Sequence, residues 1–199
     1  MPVPTIYYIR HGETSWNAEG RLQGTLDIPL NELGRRQAAK AGGILGDLFA
    51  RDGRQKHDLA YVASPLGRAR TTMEFVREVL GLPADQYALD DRLREIGYGR
   101  WEGSTLAEMR AQDPDLYARR QTEKWTMSPP GGETYAAVQV RMQDWYDSLK
   151  SDTVAVAHGG TARALLVLFG ASTPAEAPQV DIGQGVVYRF TTSGVGRHG

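Results

Sequence analysis

Thr5-Ile6-Tyr7-Tyr8-Ile9-Arg10-His11-Gly12-Glu13-Thr14 decides the reading of this chain. Residues 5–9 are β-branched or aromatic, the pattern of a buried strand. The strand runs straight into Arg10-His11-Gly12. In open α/β sheets, ligands bind beyond the carboxyl ends of the strands. An imidazole and a guanidinium are therefore delivered where chemistry is expected. Gly12 lets the backbone turn sharply and approach a ligand. The planar fork of an arginine suits an oxyanion. Histidine is substantially neutral at physiological pH and is a nucleophile. Together Arg10 and His11 point to a histidine that attacks phosphorus.

Three further blocks follow in order. Tyr61-Val62-Ala63-Ser64-Pro65-Leu66-Gly67-Arg68-Ala69-Arg70-Thr71 reads strand, turn, helix. Proline suits the start of a helix, and Arg68 falls in its first turn, an anion-friendly position. Leu93-Arg94-Glu95-Ile96-Gly97-Tyr98-Gly99-Arg100-Trp101-Glu102-Gly103 is a glycine-punctuated loop with an acid near its start. Val154-Ala155-Val156-Ala157-His158-Gly159-Gly160-Thr161 is an apolar strand ending in histidine, with glycines leading into a helical run from Thr161 to Phe169. Two strand-end histidines and two arginines can build a compact cationic pocket.

Between these blocks the pattern predicts a helix over about 32–49, capped by Asn31. A second runs over about 66–80, closed by Gly81 with Pro83 beyond. A short strand is expected at 87–89 and a helix over about 134–149. Residues 104–125 read as helix broken at Pro114, with Ser104 and Asp113 as the caps of its two pieces. Alternating β-rich runs between Val180 and Thr192 predict a last edge strand or hairpin. Residues 194–199 read as a mobile tail. Strands alternating with helices predict an α/β three-layer sandwich, a mostly parallel central sheet with helices on both faces. The whole of 1–199 reads as one domain, with a lid-like insertion at about 104–132.

A chain of 199 residues can bury a full core. Net charge of −1 argues against nucleic acid or a membrane surface as partner. The absence of cysteine excludes a disulfide framework, a thiolate metal site and cysteine nucleophiles, and fits a reducing cytoplasm. No apolar stretch approaches the length of a membrane span, and no leader pattern is visible. A cytoplasmic location is expected.

Dull readings compete at each residue. Arg70 reads as a solvated helix residue, and Asp90, Asp91 and Glu102 as ordinary loop carboxylates. Arg197-His198-Gly199 repeats the tripeptide with no strand to deliver it, so it reads as a tail. His57 lies in a polar run and reads as a solvated loop. Trp125, Trp145 and Tyr146 read as core or lid packing. His11 and His158 are conceivable metal ligands, but two guanidiniums beside them favour phosphate over a cation. No metal and no cofactor are expected.

The extended motif Arg10-His11-Gly12-Glu13-Thr14 with Trp16-Asn17 resembles the histidine phosphatase superfamily, also called the phosphoglycerate mutase-like family. So do Ser64-Pro65-Leu66 with Arg68-Ala69 and Thr71, Glu95 with Trp101-Glu102-Gly103, and His158-Gly159-Gly160. The resemblance runs from Thr5 to about Phe190. It implies a phosphoglycerate mutase-like fold, His11 as the phosphate-accepting nucleophile, and Arg10, Arg68 and His158 as the phosphate clamp. It implies Glu95 as proton donor, and Asn17, Gln23, Gly24 and Gly159 at the phosphate or substrate mouth. The implied activity is phosphomonoester hydrolysis through a phosphohistidine. The implied partners are a small phosphorylated metabolite and inorganic phosphate, in a monomer or homodimer. A cofactor-dependent phosphoglycerate mutase shares the first step and is the alternative. A non-catalytic phospholigand-binding module is a second. The short span between Glu95 and His158, and the motif Pro129-Pro130-Gly131-Gly132-Glu133-Thr134, are similar to the phosphatase branch. Arg119-Arg120 lies where mutases of this family hold a carboxylate; here the pair reads as a solvated helix face.

Overall fold

The computed structural model describes residues 4–199. Ile6–Arg10 forms β1, and its alternate side chains go to opposite faces of the sheet. Tyr7 and Ile9 join one core cluster, whereas Ile6 and Tyr8 join the other. Helices cover both faces, which is why the strand is apolar throughout and does not alternate. The other strands are β2 (Ala60–Ala63), β3 (Ala88–Leu89), β4 (Thr153–Ala157), β5 (Val187–Thr191) and β6 (Gly194–His198). The sheet order is β3-β2-β4-β1-β5-β6. The first four strands are parallel; β5 runs antiparallel to β1, and β6 antiparallel to β5.

A short helix α1 (Ser15–Ala18) follows the first loop and was not anticipated from the sequence. The helix α2 (Glu32–Asp52) starts where Asn31 accepts a hydrogen bond from the Gly34 amide (2.8 Å). It runs three residues past the expected end, to Gly53 at φ +63°. With α3 (Gly67–Val79) it covers the Tyr7–Ile9 face. The helices α4 (Leu106–Gln112), α5 (Pro114–Thr122), α6 (Tyr135–Ser148) and α7 (Gly159–Leu168) complete the chain. Of these, α6 and α7 supply most of the helical side chains that pack on the Ile6–Tyr8 face.

Three expectations need correction. Residues 194–199 are not a free tail: β6 closes a hairpin on β5 across the two residues Thr192 and Ser193. Its sequence carries no alternating apolar pattern, because backbone pairing and not side-chain burial holds this edge strand. The cap of α4 is Thr105, which forms a capping box with Glu108. Ser104 is instead buried, its carbonyl accepting from the Leu22 amide (3.1 Å). Asp113 precedes Pro114 but makes no side-chain cap; Trp101 Nε1 (2.8 Å) and Arg100 Nη2 (2.9 Å) donate to its carboxylate.

The insertion at 104–132 packs firmly on one side. Met109 belongs to the core, and Leu116, Tyr117 and Trp125 pack against it. Trp125 stacks on Tyr135 with centroids 5.6 Å apart. Trp145 is core, as expected. No helix among the described residues is long and apolar enough to cross a membrane.

Two glycines set how closely α2 approaches the first loop. A Cβ on Gly12 would lie 2.1 Å from the Gly34 carbonyl oxygen, and one on Gly34 would lie 2.1 Å from that of Glu13. Gly43, in the middle of the same helix, faces open space. Gly34→Ala should therefore destabilise by about 1–3 kcal/mol through overpacking against backbone. Gly43→Ala should stabilise by about 0.5–1 kcal/mol through helix propensity. Urea unfolding of both variants checks the pair; a neutral Gly34→Ala would show that the loop yields.

Candidate active site

The register of β1 against β4 places two imidazoles side by side. Arg10 pairs with Ala157, and the His11 amide donates to the Ala157 carbonyl (2.9 Å). His11 and His158 thus leave neighbouring parallel strands at the same level, with ring centroids 5.2 Å apart. Both are buried. Tyr8, one strand away, fixes the second turn. Its hydroxyl accepts from the His158 amide (2.9 Å) and donates to the His158 carbonyl (2.6 Å).

The hydrogen bonds decide which ring nitrogens are free. His11 Nδ1 lies 2.7 Å from the Gly12 carbonyl oxygen. A carbonyl only accepts, so Nδ1 carries the proton and Nε2 of the neutral ring keeps its lone pair. His158 Nε2 lies 2.8 Å from Ser64 Oγ, while its Nδ1 is buried without a partner. Burial first, then the charges of Arg68 and Arg10, hold His11 well below the usual histidine range. Burial, followed by Arg68 and His11, does the same to His158.

Two arginines are pinned by backbone carbonyls. Arg68 is buried and donates from Nη1 to Leu26 (2.5 Å) and from Nη2 to Gly24 (2.8 Å). Arg10 donates from Nη1 to Ile182 (2.7 Å). In each the Nε is buried with no partner. A buried N–H on a fixed cation is a donor waiting for an anion. The amino end of α3 is not the free anion site suggested by the sequence, because Asp27 already accepts from the Gly67 amide (2.7 Å).

Glu95 reaches the start of α7. Its Oε1 accepts from the amides of Ile96 and Gly160 (2.9 Å each). A Cβ on Gly160 would sit 2.4 Å from that oxygen, so the second glycine after His158 makes room for the acid. A Cβ built on Gly159 would lie 3.9 Å from Glu95 Oε2, 3.8 Å from Arg10 Nε and 3.3 Å from Arg163 Nη1. These four residues meet at one point. The loop bearing the acid is tied to the start of α6: the Gly97 amide donates to Glu133 Oε2 (2.9 Å), and the Glu133 amide donates to the Gly97 carbonyl (2.8 Å).

Gln23 is buried with Oε1 unpartnered, next to the Gly24 carbonyl that holds Arg68. Asn17 joins the group indirectly, through Gln184, whose Nε2 donates to the His11 carbonyl (3.1 Å) and to Asn17 Oδ1 (3.2 Å). Sequence reasoning missed Gln184, Arg163 and Ser64 as members of the site. Arg163 left a trace, a lone charge in an otherwise small and apolar helix; Gln184 left none. His57 and Arg70 are exposed, as expected. Arg197 and His198 stand on β6. Arg119 is exposed, but Arg120 is not: it is 6% exposed, with its guanidinium 5.6 Å from the Tyr98 ring centroid. The reading of that pair as a solvated face fails for Arg120, because α5 turns it inward over the aromatic residues of the preceding loop. Among the described residues no group of three or more His, Asp and Glu side chains is arranged to hold a metal ion.

A family model described as the histidine phosphatase superfamily (branch 1) matches residues 6–198. A 2,3-bisphosphoglycerate-dependent phosphoglycerate mutase of Chelativorans sp. is 32% identical over 94% of this chain and 92% of its own length. A glucosyl-3-phosphoglycerate phosphatase of Mycobacterium tuberculosis is 36% identical over 83% of this chain and 74% of its own. The solved structure of a mycobacterial glucosyl-3-phosphoglycerate phosphatase with VO3 superimposes with a TM-score of 0.76 at 31% identity, covering 94% of this chain and 92% of that one.

The two depressed histidines have a consequence for stability. Above the ordinary histidine value both states of the chain hold them neutral. Below about 6.5 the unfolded chain binds protons that the folded protein refuses, so stability falls as pH drops toward the folded values. The loss should reach about 1.4 kcal/mol per pH unit for each imidazole. Urea midpoints measured from pH 7 to pH 5 should fall less steeply in His158→Gln than in the parent. Identical slopes would mean that His158 titrates normally.

Proposed function

The chain belongs to the histidine phosphatase superfamily, and on that premise we propose that it hydrolyses phosphomonoesters of small metabolites through a phosphohistidine on His11. The observation that carries this reading is the His11 Nδ1 bond to the Gly12 carbonyl, which leaves the lone pair on Nε2 of a buried ring, beside two cations with unpartnered Nε groups. Arg10 and Arg68 hold the phosphoryl oxygens and offset the charge that builds on them. His158 donates from Nδ1, the nitrogen without a protein partner. Ser64 holds its other nitrogen and so orients the ring.

His11 Nε2 attacks phosphorus in line, and the P–O ester bond breaks. Glu95 gives its proton to the departing alkoxide oxygen. Its Oε1 is occupied by two amides, so Oε2 is the oxygen that carries the proton. In the second step ionised Glu95 takes a proton from water, whose oxygen attacks phosphorus. The P–N bond breaks, Nε2 regains its lone pair, and inorganic phosphate leaves. No metal or organic cofactor enters the scheme. A cytoplasmic enzyme, working as monomer or homodimer, fits the lack of cysteine and the near-neutral charge.

A mutase shares the first step and then returns the phosphoryl group to a sugar acid. The inward Arg120 and the similarity to a mutase over the whole chain speak for it. The similarity to a phosphatase in both sequence and solved structure speaks for water as the acceptor. The fate of the phosphoryl group separates the two. With bisphosphoglycerate plus 3-phosphoglycerate we expect release of inorganic phosphate; rapid interconversion of the 2- and 3-phospho acids with little release would make the enzyme a mutase. His11→Ala should abolish both turnover and acid-labile labelling of the protein. Glu95→Gln should lower kcat about 10²–10⁴-fold on alkyl phosphates and much less on an aryl phosphate, whose phenolate leaves with little help. Equal losses on the two would remove Glu95 as the acid.

A further inference from the structure

Arg68 can meet a phosphoryl group only if its guanidinium keeps one direction, and a loop sets that direction. The carbonyls of Leu26 and Gly24 accept from its two Nη groups. Neither residue stands in a helix or a strand, so other contacts must hold the carbonyls in place. At the far end of the loop Asp27 does so, accepting from the amides of Gly67 (2.7 Å) and Arg68 (3.4 Å) at the start of α3. At the near end the holder is Glu102, which the sequence alone offers as an ordinary loop carboxylate. Its Oε1 accepts from the amide of Thr25 (2.9 Å), the residue between the two carbonyls. The Thr25 hydroxyl donates to the same carboxylate, 3.1 Å from each oxygen. A Cβ on Gly24 would lie 2.1 Å from Oε1, so the carboxylate fills the space that a side chain there would need.

The same Oε1 accepts from the Tyr98 amide (3.1 Å), on the loop that carries Glu95. One carboxylate thus ties the loop that aims Arg68 to the loop that bears the proton donor. Backbone pairing close by brings the two together: the Gly103 amide donates to the Leu22 carbonyl (2.7 Å), and the Leu22 amide donates to the Ser104 carbonyl (3.1 Å). The Glu102 side chain carries that pairing on to Thr25. We propose that Glu102 is a positioning residue for the phosphate clamp: it fixes residues 24–26 so that their carbonyls aim the Arg68 guanidinium at the phosphoryl group, which rests on the reading of Arg68 as part of that clamp. Negative charge is placed one step away from the cation. The carboxylate accepts from two amides and a hydroxyl, while the guanidinium donates to carbonyls. What matters at residue 102 is therefore the acceptor and not the charge. Glutamine has an acceptor at the same reach, and its amide can donate to the Thr25 hydroxyl. Methionine has neither.

The probe is inorganic phosphate. The readout is its Kd by titration calorimetry, which needs no turnover and so survives a failure of the hydrolytic reading. Arg68→Lys keeps the charge and loses the fork, and should weaken phosphate about tenfold or more. Glu102→Met should weaken it about tenfold, the scale of one charged hydrogen bond. Glu102→Gln should stay within about twofold of the parent, because its contacts are kept. On the Arg68→Lys background Glu102→Met should cost less than about twofold more, since no fork is left to aim. A residue that only loosened the fold would give losses that add. Should Glu102→Met fail to fold, Thr25→Ala, at an exposed position, removes the hydroxyl contacts; it should give a smaller loss that vanishes on the same background, and an unchanged Kd there would count against Glu102. An unchanged Kd in Glu102→Met, equal losses in Glu102→Gln and Glu102→Met, or a full loss that persists beside Arg68→Lys would overturn the proposal. Phosphate that binds Arg68→Lys as tightly as the parent would instead overturn the clamp reading beneath it.

Discussion

The parallel pairing of β1 with β4 is the constraint on which the site depends. One residue of slip would turn each strand inside out, exchanging Tyr7 for Tyr8 between the two core layers. It would also separate His11 from His158, whose closeness comes only from both strands ending at one level. Tyr8 locks the arrangement, because a side chain buried in the core of β1 holds the backbone at the end of β4. Core packing and catalytic geometry are thus one structural fact. The strand that contributes to both hydrophobic layers also leads into His11.

Around that pair the protein supplies positive charge, with Glu95 as the acid that faces it. Carbonyls of Gly24, Leu26 and Ile182 hold the two arginines in place. Carbonyl dipoles fix a guanidinium without neutralising it, as a carboxylate would. The nearest acid to the Arg68 head is Asp27, at 3.9 Å and half exposed. Burial, and after it that field, keeps both histidines neutral, the state in which an imidazole has a lone pair to offer. Glu95 is held apart by amides, through a loop that answers to Glu133 and α6. Glu95 and His11 are therefore positioned by different loops, which meet at the start of α7.

The sequence made the strand ends legible because they combine three signals: a continuous apolar run, an abrupt change to charge, and glycine. Those signals located Arg10, His11, His158 and the strands beneath them. Helix boundaries at Asn31 and Gly81 were equally plain, since capping chemistry is local. What escaped was non-local. The strand β6 is built by pairing with β5 across a two-residue turn, and Gly-Val-Gly-Arg-His carries no apolar face to announce it. Ser104 is paired through its backbone with Leu22, far away in sequence, and Thr105 takes the cap. Arg120 resembled any surface arginine until α5 turned it onto Tyr98. Gln184 joins His11 to Asn17 from a loop with no local signature.

The provenance of the parts has an evolutionary meaning. Arg10, His11 and His158 stand at the ends of sheet strands, and Arg68 stands on α3, pinned by loop carbonyls. Arg120 comes from α5, outside the sheet. A change in α5 would leave the β1–β4 pairing in place, and relatives at 32% and 36% identity carry a mutase name and a phosphatase name.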